Sequence, residues 1–185
     1  QWTKNLVLFA GLVFSKRFLE MPCVWKSFLG FLFFCMLSGA IYLFNDLLDR
    51  KRDMEHPVKK LRPITSGALS KGAAATAGGI LLAVFLPAST LLGFEFFLMA
   101  VAFVAVNAMY SIFLRHIVIL DVIAISFSFL IRAGAGVAVL HERVPDLEFS
   151  PWLWICTLFL SLFLAICKRR NEFTLLETAG EHRKS

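Results

Sequence analysis

The stretch FLGFLFFCMLSGAIYLFNDLLDRKRDMEHPVKKLRPITSG, residues 28–67, joins a long apolar run to a segment crowded with opposite charges. Residues 28–44 contain no charged side chain, and Asp46, Asp49 and Asp53 then follow among several lysines and arginines. A helix that spans a bilayer needs about 20 predominantly apolar residues. We therefore interpret this stretch as a membrane span whose last turns carry charge at the edge of the bilayer.

The composition supports a membrane protein for the chain as a whole. Its 185 residues are 58% hydrophobic, with a mean hydropathy of +0.74, whereas soluble domains contain about 45–50% apolar residues. No low-complexity linker divides the chain, so residues 1–185 are predicted to form a single membrane-embedded domain. The expected fold class is all-α, a polytopic transmembrane helical bundle with about six helices in this chain: 5–18, 24–48, 73–93, 94–114, 117–140 and 151–167.

The distribution of positive charge predicts the orientation. Most of the 19 lysines and arginines lie on the side of the bundle that contains the 45–71 loop, and such residues are enriched in cytoplasmic loops. Lys16, Arg17, Lys26 and Arg143 lie on the other side, and Arg132 lies inside a span. We expect a multi-pass protein of the inner (cytoplasmic) membrane, with its active site facing the cytoplasm and the lipid bilayer as its surroundings. The net charge of +6 is thus assigned to topology and anion binding, and no nucleic-acid partner is expected.

The three aspartates have helical spacing. Positions 46, 49 and 53 are related as i, i+3 and i+7, which places them on one face of a helix, with Asn45 at its edge. Carboxylate and amide oxygens suit Mg²⁺, which usually takes one or two carboxylates and completes its coordination with water and substrate phosphates. The alternative interpretation is a solvated helix end with Asp–Lys pairs.

A basic loop follows this acidic face. Lys59 and Arg62 lie between Pro57 and Pro63, and two prolines so close together favour an ordered loop over a helix. Arginine offers a two-pronged donor and lysine a compact charge to a diphosphate. A general basic loop that sets topology or contacts anionic lipid remains the alternative.

Further polar residues are predicted at the same end of the bundle. Tyr110 and Arg115 end the fourth predicted helix with Asn107 and Ser111 nearby, and Asp121 begins the fifth. Arg132 follows Asp121 by eleven residues, on the same face and about 16 Å away. Ionisable groups inside a span are functional candidates, although Tyr110 could also be an interfacial residue and Arg132 could serve a structural pairing.

Two more features complete the candidate residues. Lys168 and Arg169 end the sixth predicted helix, where positive side chains also occur for topological reasons. Gly78, Gly79, Gly134 and Gly136 are expected to let helices pack closely.

These residues together resemble the UbiA superfamily of membrane-embedded transferases. Asn45-Asp46-x-x-Asp49-x-x-x-Asp53 matches its NDxxDxxxD signature, and further matches resemble its decaprenyl-phosphate phosphoribosyltransferase branch. The additional matching segments are Gln1-Trp2-Thr3-Lys4-Asn5, His56-Pro57-x-Lys59-x-x-Arg62-Pro63-Ile64, Tyr110-Ser111-x-x-Leu114-Arg115, Asp121-Val122, Leu130-x-Arg132-x-x-Ala135-Gly136 and Lys168-Arg169-Arg170-x-Glu172. Arg115 stands where the branch usually has lysine, which keeps the charge.

The resemblance implies a reaction and a set of functional residues. The 5-phosphoribosyl group of phosphoribosyl pyrophosphate would pass to a polyprenyl phosphate with release of pyrophosphate, in the synthesis of cell-envelope glycolipid precursors. It implies Mg²⁺ bound by Asn45, Asp46, Asp49 and Asp53, with these aspartates and Asp121 as catalytic residues. The implied substrate-binding residues are Lys4, Asn45, Lys59, Arg62, Tyr110, Arg115, Arg132, Lys168 and Arg169.

The resemblance also implies nine helices, so we expect this chain to hold the first two thirds of the protein and to lack the C-terminal helices. Isoprenoid length and oligomeric state, a homo-oligomer included, are left open. A UbiA-type prenyltransferase that moves a polyprenyl group from its diphosphate to an aromatic acceptor is one alternative. A membrane transporter of phosphorylated solutes is another, although apart from Pro87 the spans lack the mid-helix breaks typical of transporters.

Overall fold

The computed structural model describes residues 2–55, 58–113, 118–141, 143–144, 147 and 150–181, without the side chains of 118, 168 and 171–181. Within these residues the chain is helical and contains no strand. Seven α-helices follow one another: α1 (Phe9–Phe14), α2 (Met21–Glu55), α3 (Pro63–Ser66), α4 (Lys71–Ala88), α5 (Phe94–Ile112), α6 (Val118–His141) and α7 (Pro151–Glu181). The predicted all-α membrane bundle is therefore confirmed.

Helix α2 is much longer than a bilayer requires. Its 35 residues extend over about 50 Å at 1.5 Å per residue, whereas the hydrocarbon layer is about 30 Å thick. The sequence had predicted an end near residue 48, but the helix continues to Glu55. The acidic residues therefore lie on a regular helix that projects beyond the hydrocarbon.

Among the residues that the structure describes, four helices are long and apolar enough to cross a membrane: α2, α4 with the turn after it, α5 and α6. Helix α6 is the central one, since 67% of its most apolar stretch of 18 residues is buried inside the protein, against 17% of the corresponding stretch of α4. Large apolar side chains such as Trp25, Phe94 and Phe159 are exposed. In a multi-pass membrane protein these side chains meet lipid.

Aromatic residues build the core between α2 and α5. Phe34 of α2 is fully buried, and its ring centroid lies 5.6 Å from that of Phe96 and 5.1 Å from that of Phe103 on α5. Such tilted and edge-on pairs are favourable arrangements of aromatic rings. This packing fixes α5 against α2, so the charged end of α2 and the polar end of α5 lie at the same end of the bundle.

The N-terminal segment differs from the predicted single helix over 5–18. A 3₁₀ helix (Trp2–Leu8) leads into the short α1, which ends at Phe14, and the chain then turns at Lys16, whose φ is 57°. Gly11 and Gly136 meet where this segment crosses α6. A Cβ atom at Gly136 would lie 1.9 Å from the Leu8 carbonyl oxygen, so the expected close packing at Gly136 is confirmed.

Three other element bounds differ from the expectation. The predicted proline-stiffened loop contains a 3₁₀ turn (Lys59–Leu61) and α3, which begins with Pro63 and ends before Gly67 at φ 86°. Ser70 caps α4 by accepting a hydrogen bond from the Ala73 amide at 3.2 Å, and a 3₁₀ turn (Ser89–Leu92) follows this helix. Helix α7 continues past the predicted end at 167 to Glu181.

The crossing of α1 and α6 provides a test of the packing. Gly136→Ala should lower stability by at least about 3 kcal/mol, because the added methyl group meets rigid backbone. Gly79→Ala on α4 is the matched control. A Cβ there has no neighbour within 4 Å, so the expected close packing is wrong at Gly79, and this substitution should change stability by no more than about 1 kcal/mol. Thermal unfolding in detergent micelles measures both, and equal melting temperatures would contradict the close crossing.

Candidate active site

The polar residues predicted to act together lie at one end of the bundle. The end of α2, the end of α5, the start of α6 and residue 169 of α7 are joined there by side-chain hydrogen bonds and ion pairs. Because consecutive membrane helices alternate in direction, the ends of α2 and α5 and the start of α6 lie on the same side of the bundle.

Arg62 binds two of the three predicted acidic residues. Its Nη1 atom lies 2.7 Å from Asp46 Oδ1 and 2.8 Å from Asp53 Oδ2. Asp46 and Asp53 are two helical turns apart on α2, and Asp49, which is half-buried, lies between them. The helical spacing that predicted one acidic face is thus borne out by the way a single guanidinium reaches both ends of that face.

A hydrogen bond from α2 to the backbone of the following segment holds Arg62 in position. Arg62 precedes α3, and Ile64 and Thr65, two and three residues later, are both buried. Arg50 of α2 donates from Nε to the Ile64 carbonyl oxygen at 3.3 Å. The basic segment is therefore fastened to α2, and it presents Arg62 to the acidic face.

Asn45 joins α2 to α5. Its Oδ1 accepts a hydrogen bond from the Ser111 hydroxyl. The Asn107 amide lies one turn earlier on α5 and donates to Ser128 Oγ of α6 at 3.2 Å. The side-chain oxygen of Asn45 is thus directed to a neighbouring helix, where it stabilises the arrangement of α2, α5 and α6.

Asp121 forms a second charged contact. It is 3% exposed, and it accepts a hydrogen bond from the Tyr110 hydroxyl at 2.6 Å on Oδ1. Arg169 Nη2 lies 2.6 Å from its Oδ2. Both carboxylate oxygens of Asp121 therefore have protein partners, and Asp121 orients Tyr110 and Arg169.

Arg132 is buried among neutral groups. Its Nε donates to Asn5 Oδ1 at 2.8 Å, and its Nη1 donates to the Ser128 carbonyl oxygen at 2.9 Å and to Ser128 Oγ at 2.7 Å. The guanidinium also lies over the Phe103 ring, 4.5 Å from its centroid. These contacts favour the structural pairing that the sequence left open, and a substrate-binding role for Arg132 stays a prediction.

Asn5 is the residue that this network adds to the predicted set. It is fully buried, it accepts a further hydrogen bond from Ser38 at 3.3 Å, and its amide contacts Cys35 Sγ at 3.3 Å. The one signal in the sequence was its position in the N-terminal motif. Spacing could not reveal the contact, because Asn5 and Arg132 are 127 residues apart.

The structure gives less information on four of the predicted substrate-binding residues. Lys4, next to Asn5, and Lys59, in the 3₁₀ turn before Arg62, are exposed, and their roles in substrate binding stay predictions. Arg115 lies outside the described residues. Lys168 lies on α7, but its side chain is outside the described part of the chain.

The acidic face suits a divalent cation that a substrate also binds. Within the described ranges, no group of three or more His, Cys, Asp or Glu side chains is placed to hold a metal by itself. However, Asp46 and Asp53 direct one oxygen each to a single point, now the position of Arg62 Nη1. Two carboxylates with water and phosphate oxygens are what Mg²⁺ accepts, so the donor chemistry fits this ion.

Comparison with known proteins identifies the chain's relatives. Residues 6–172 match the UbiA prenyltransferase family. The chain is 32% identical to decaprenyl-phosphate phosphoribosyltransferase of Mycolicibacterium smegmatis, over 97% of the chain and 56% of that protein. It is 31% identical to the protein of the same name from Corynebacterium glutamicum, over 97% of the chain and 54% of the relative.

A relative with another name has similar coverage. Nodulation protein NoeC of Azorhizobium caulinodans is 31% identical over 97% of the chain and 56% of its own length. The chain therefore spans about half the length of the curated relatives that it matches.

The Arg132 network yields a prediction about stability. Asn5→Ala should destabilise the protein by about 1–3 kcal/mol, because the Arg132 Nε–H would remain buried without its acceptor. Thr3→Ala is the control, since Thr3 is exposed in the same 3₁₀ helix. Thermal unfolding in detergent compares the two variants, and an unchanged melting temperature for Asn5→Ala would show that the network contributes nothing to stability.

Proposed function

Since this chain belongs to the UbiA prenyltransferase family, we propose that it forms the catalytic half of a membrane phosphoribosyltransferase. The reaction is transfer of 5-phosphoribose from phosphoribosyl pyrophosphate to a polyprenyl phosphate, with release of pyrophosphate. The observation that carries the proposal is the convergence of Asp46, Asp53 and Arg62 with Asp121, Tyr110 and Arg169 at one end of the bundle. The names of the relatives from Mycolicibacterium smegmatis and Corynebacterium glutamicum support it.

In this proposal the acidic face holds the pyrophosphate of the donor through Mg²⁺. Asp46 and Asp53 supply the carboxylate ligands, and Asn45 and Asp49 lie beside them on α2. When bound, the ion would neutralise charge on the pyrophosphate and make it a better leaving group. The carboxylates position this charge, and the end of the long α2 places it just outside the hydrocarbon.

The basic residues bind the phosphates of both substrates. Arg62 and Lys59 lie beside the acidic face, and Arg169 lies across the site on α7, with Lys168 preceding it and Arg115 following α5 in the sequence. Two phosphorylated substrates need this concentration of cations, whereas a neutral aromatic acceptor does not. The cations therefore favour phosphoribosyl transfer over the prenyltransferase alternative.

The chemical step then consists of one exchange of bonds. The bond between the ribose C1 and the pyrophosphate oxygen breaks, and an oxygen of the lipid phosphate forms a new bond to C1. No base has to remove a proton, because a phosphate monoester is largely ionised near neutral pH. Catalysis then depends on positioning and on stabilisation of charge, which Asp121 assists by orienting Tyr110 and Arg169 toward the donor ribose.

The remaining parts of the proposal concern location. The isoprenoid chain would lie along the exposed apolar helix faces, and the charged end would face the cytoplasm at the inner membrane, in line with the positive-inside rule. Lys4 is exposed on the N-terminal segment, and we assign it a supporting role toward the lipid substrate, whereas the buried Arg132 supports the packing of the helices. The product would serve the synthesis of cell-envelope glycolipids.

Substitution of the acidic residues tests the proposed activity. In the purified full-length protein, Asp46→Asn and Asp53→Asn should each reduce the transfer of radiolabelled phosphoribose to decaprenyl phosphate by about a hundredfold or more, as loss of a charge-stabilising group typically does. Glu55→Gln is the matched control, since Glu55 is an exposed acidic residue at the end of the same helix. It should leave transfer within about twofold of the wild type, because an exposed charge interacts weakly through water.

Two results would contradict the proposed phosphoribosyl transfer. Transfer that is unaffected by both aspartate variants would contradict the role of the acidic face. Transfer of a radiolabelled prenyl group from its diphosphate to an aromatic acceptor, without transfer of phosphoribose to the lipid phosphate, would favour the prenyltransferase instead.

A further inference from the structure

We propose that Arg62 occupies the cation position of the acidic face in the substrate-free protein, so that the divalent cation enters only together with a diphosphate. The inference rests on the proposed function, which assigns a metal-bound diphosphate to this face. It adds an order of events, because Arg62 must leave Asp46 and Asp53 before both carboxylates can bind a metal ion.

The geometry makes the two occupants mutually exclusive. A single nitrogen, Arg62 Nη1, lies 2.7 Å from Asp46 Oδ1 and 2.8 Å from Asp53 Oδ2. A Mg²⁺ ion shared by the same two oxygens would lie about 2.0–2.1 Å from each. That position overlaps the guanidinium, so a protein in which Arg62 keeps both contacts has no room for the ion.

Burial makes it costly for Arg62 to leave alone. The Asp53 side chain is 3% exposed, and Arg62 is the cation that pairs with it in the described part of the chain. An ionised carboxylate that loses its partner in a buried position destabilises a protein by several kcal/mol. Arg62 should therefore leave Asp53 only when another cation replaces it.

The side chain of Arg62 is nevertheless able to move. It is 35% exposed, while its backbone is fixed to α2 by the contact between Arg50 and Ile64. A change of side-chain rotamer can then redirect the guanidinium without moving the loop. Its new partner would be the diphosphate itself, because a guanidinium binds phosphate oxygens in a two-pronged geometry.

These facts predict that cation and diphosphate bind cooperatively. The cation alone must compete with Arg62, whereas a diphosphate draws Arg62 away and adds its own oxygen ligands. By reciprocity, each ligand then raises the affinity for the other. Removal of the guanidinium should abolish the competition and so tighten binding of the cation in the absence of diphosphate.

The experiment measures binding of Mn²⁺, a paramagnetic substitute for Mg²⁺, to the full-length protein in detergent by electron paramagnetic resonance. Titrations are run at matched free Mn²⁺, with and without inorganic pyrophosphate. The wild type should bind Mn²⁺ about tenfold more tightly with pyrophosphate, within the usual range of coupling between two ligands. Arg62→Gln should bind Mn²⁺ about tenfold more tightly than the wild type without pyrophosphate. Pyrophosphate should then raise its affinity by a smaller factor than in the wild type, because only the added oxygen ligands still contribute.

Lys60→Gln is the matched control. Lys60 is exposed two residues before Arg62, so its loss makes the same change in net charge on the same segment. If net charge alone governed the affinity, Lys60→Gln and Arg62→Gln would show the same increase in affinity for Mn²⁺, and the proposal would be overturned. Thermal unfolding establishes that both variants are folded, and should Arg62→Gln fail to fold, Arg62→Ala is titrated in its place with the same expected result.

The remaining outcomes separate this inference from the proposed function. If Arg62→Gln bound Mn²⁺ no more tightly than the wild type in the absence of pyrophosphate, the inference would be overturned and metal-dependent transfer would stay intact. If the wild type bound no Mn²⁺ under either condition, both the inference and the metal-dependent reaction would fail.

Discussion

An ion at the edge of a hydrocarbon layer needs a partner of opposite charge, and this requirement shapes the charged end of the bundle. Helix α2 is long enough to carry Asp46 and Asp53 past the apolar layer, yet Asp53 is still buried in the protein. The chain meets the requirement by returning a basic segment over the same helix and placing Arg62 between the two carboxylates. The ion pair thus determines where the segment between α2 and α4 lies.

Asp121 and Arg169 form a second charged pair that meets the same requirement for a partner of opposite charge. Asp121 is as buried as Asp53, but its two oxygens are divided between Tyr110 on α5 and Arg169 on α7. These contacts therefore link three consecutive helices, α5, α6 and α7. Its carboxylate is fully engaged by protein groups that it orients, whereas Asp46 and Asp53 share one partner, Arg62.

Periodicity predicted much of this arrangement, and tertiary contacts account for the rest. The i, i+3, i+7 spacing of the aspartates and the apolar runs predicted the acidic face and the main spans, because both depend on local geometry. The break at Leu8, between the 3₁₀ helix and α1, and the extension of α2 to Glu55 were not predicted, since helix ends depend on packing and capping. The contact between Asn5 and Arg132 joins residues that are 127 positions apart in the sequence, and no local pattern encodes it.

Exposure distinguishes the two arginines that the sequence had placed in one functional set. Arg132 is 3% exposed, lies over Phe103 and binds Asn5 and Ser128, so every movement of its guanidinium would break buried hydrogen bonds. Arg62 is about one-third exposed and faces two carboxylates. A group that must exchange partners during a reaction needs access to solvent or substrate, whereas a group that fixes helices needs burial. The same side chain can therefore support the scaffold at one position and be exchangeable at another.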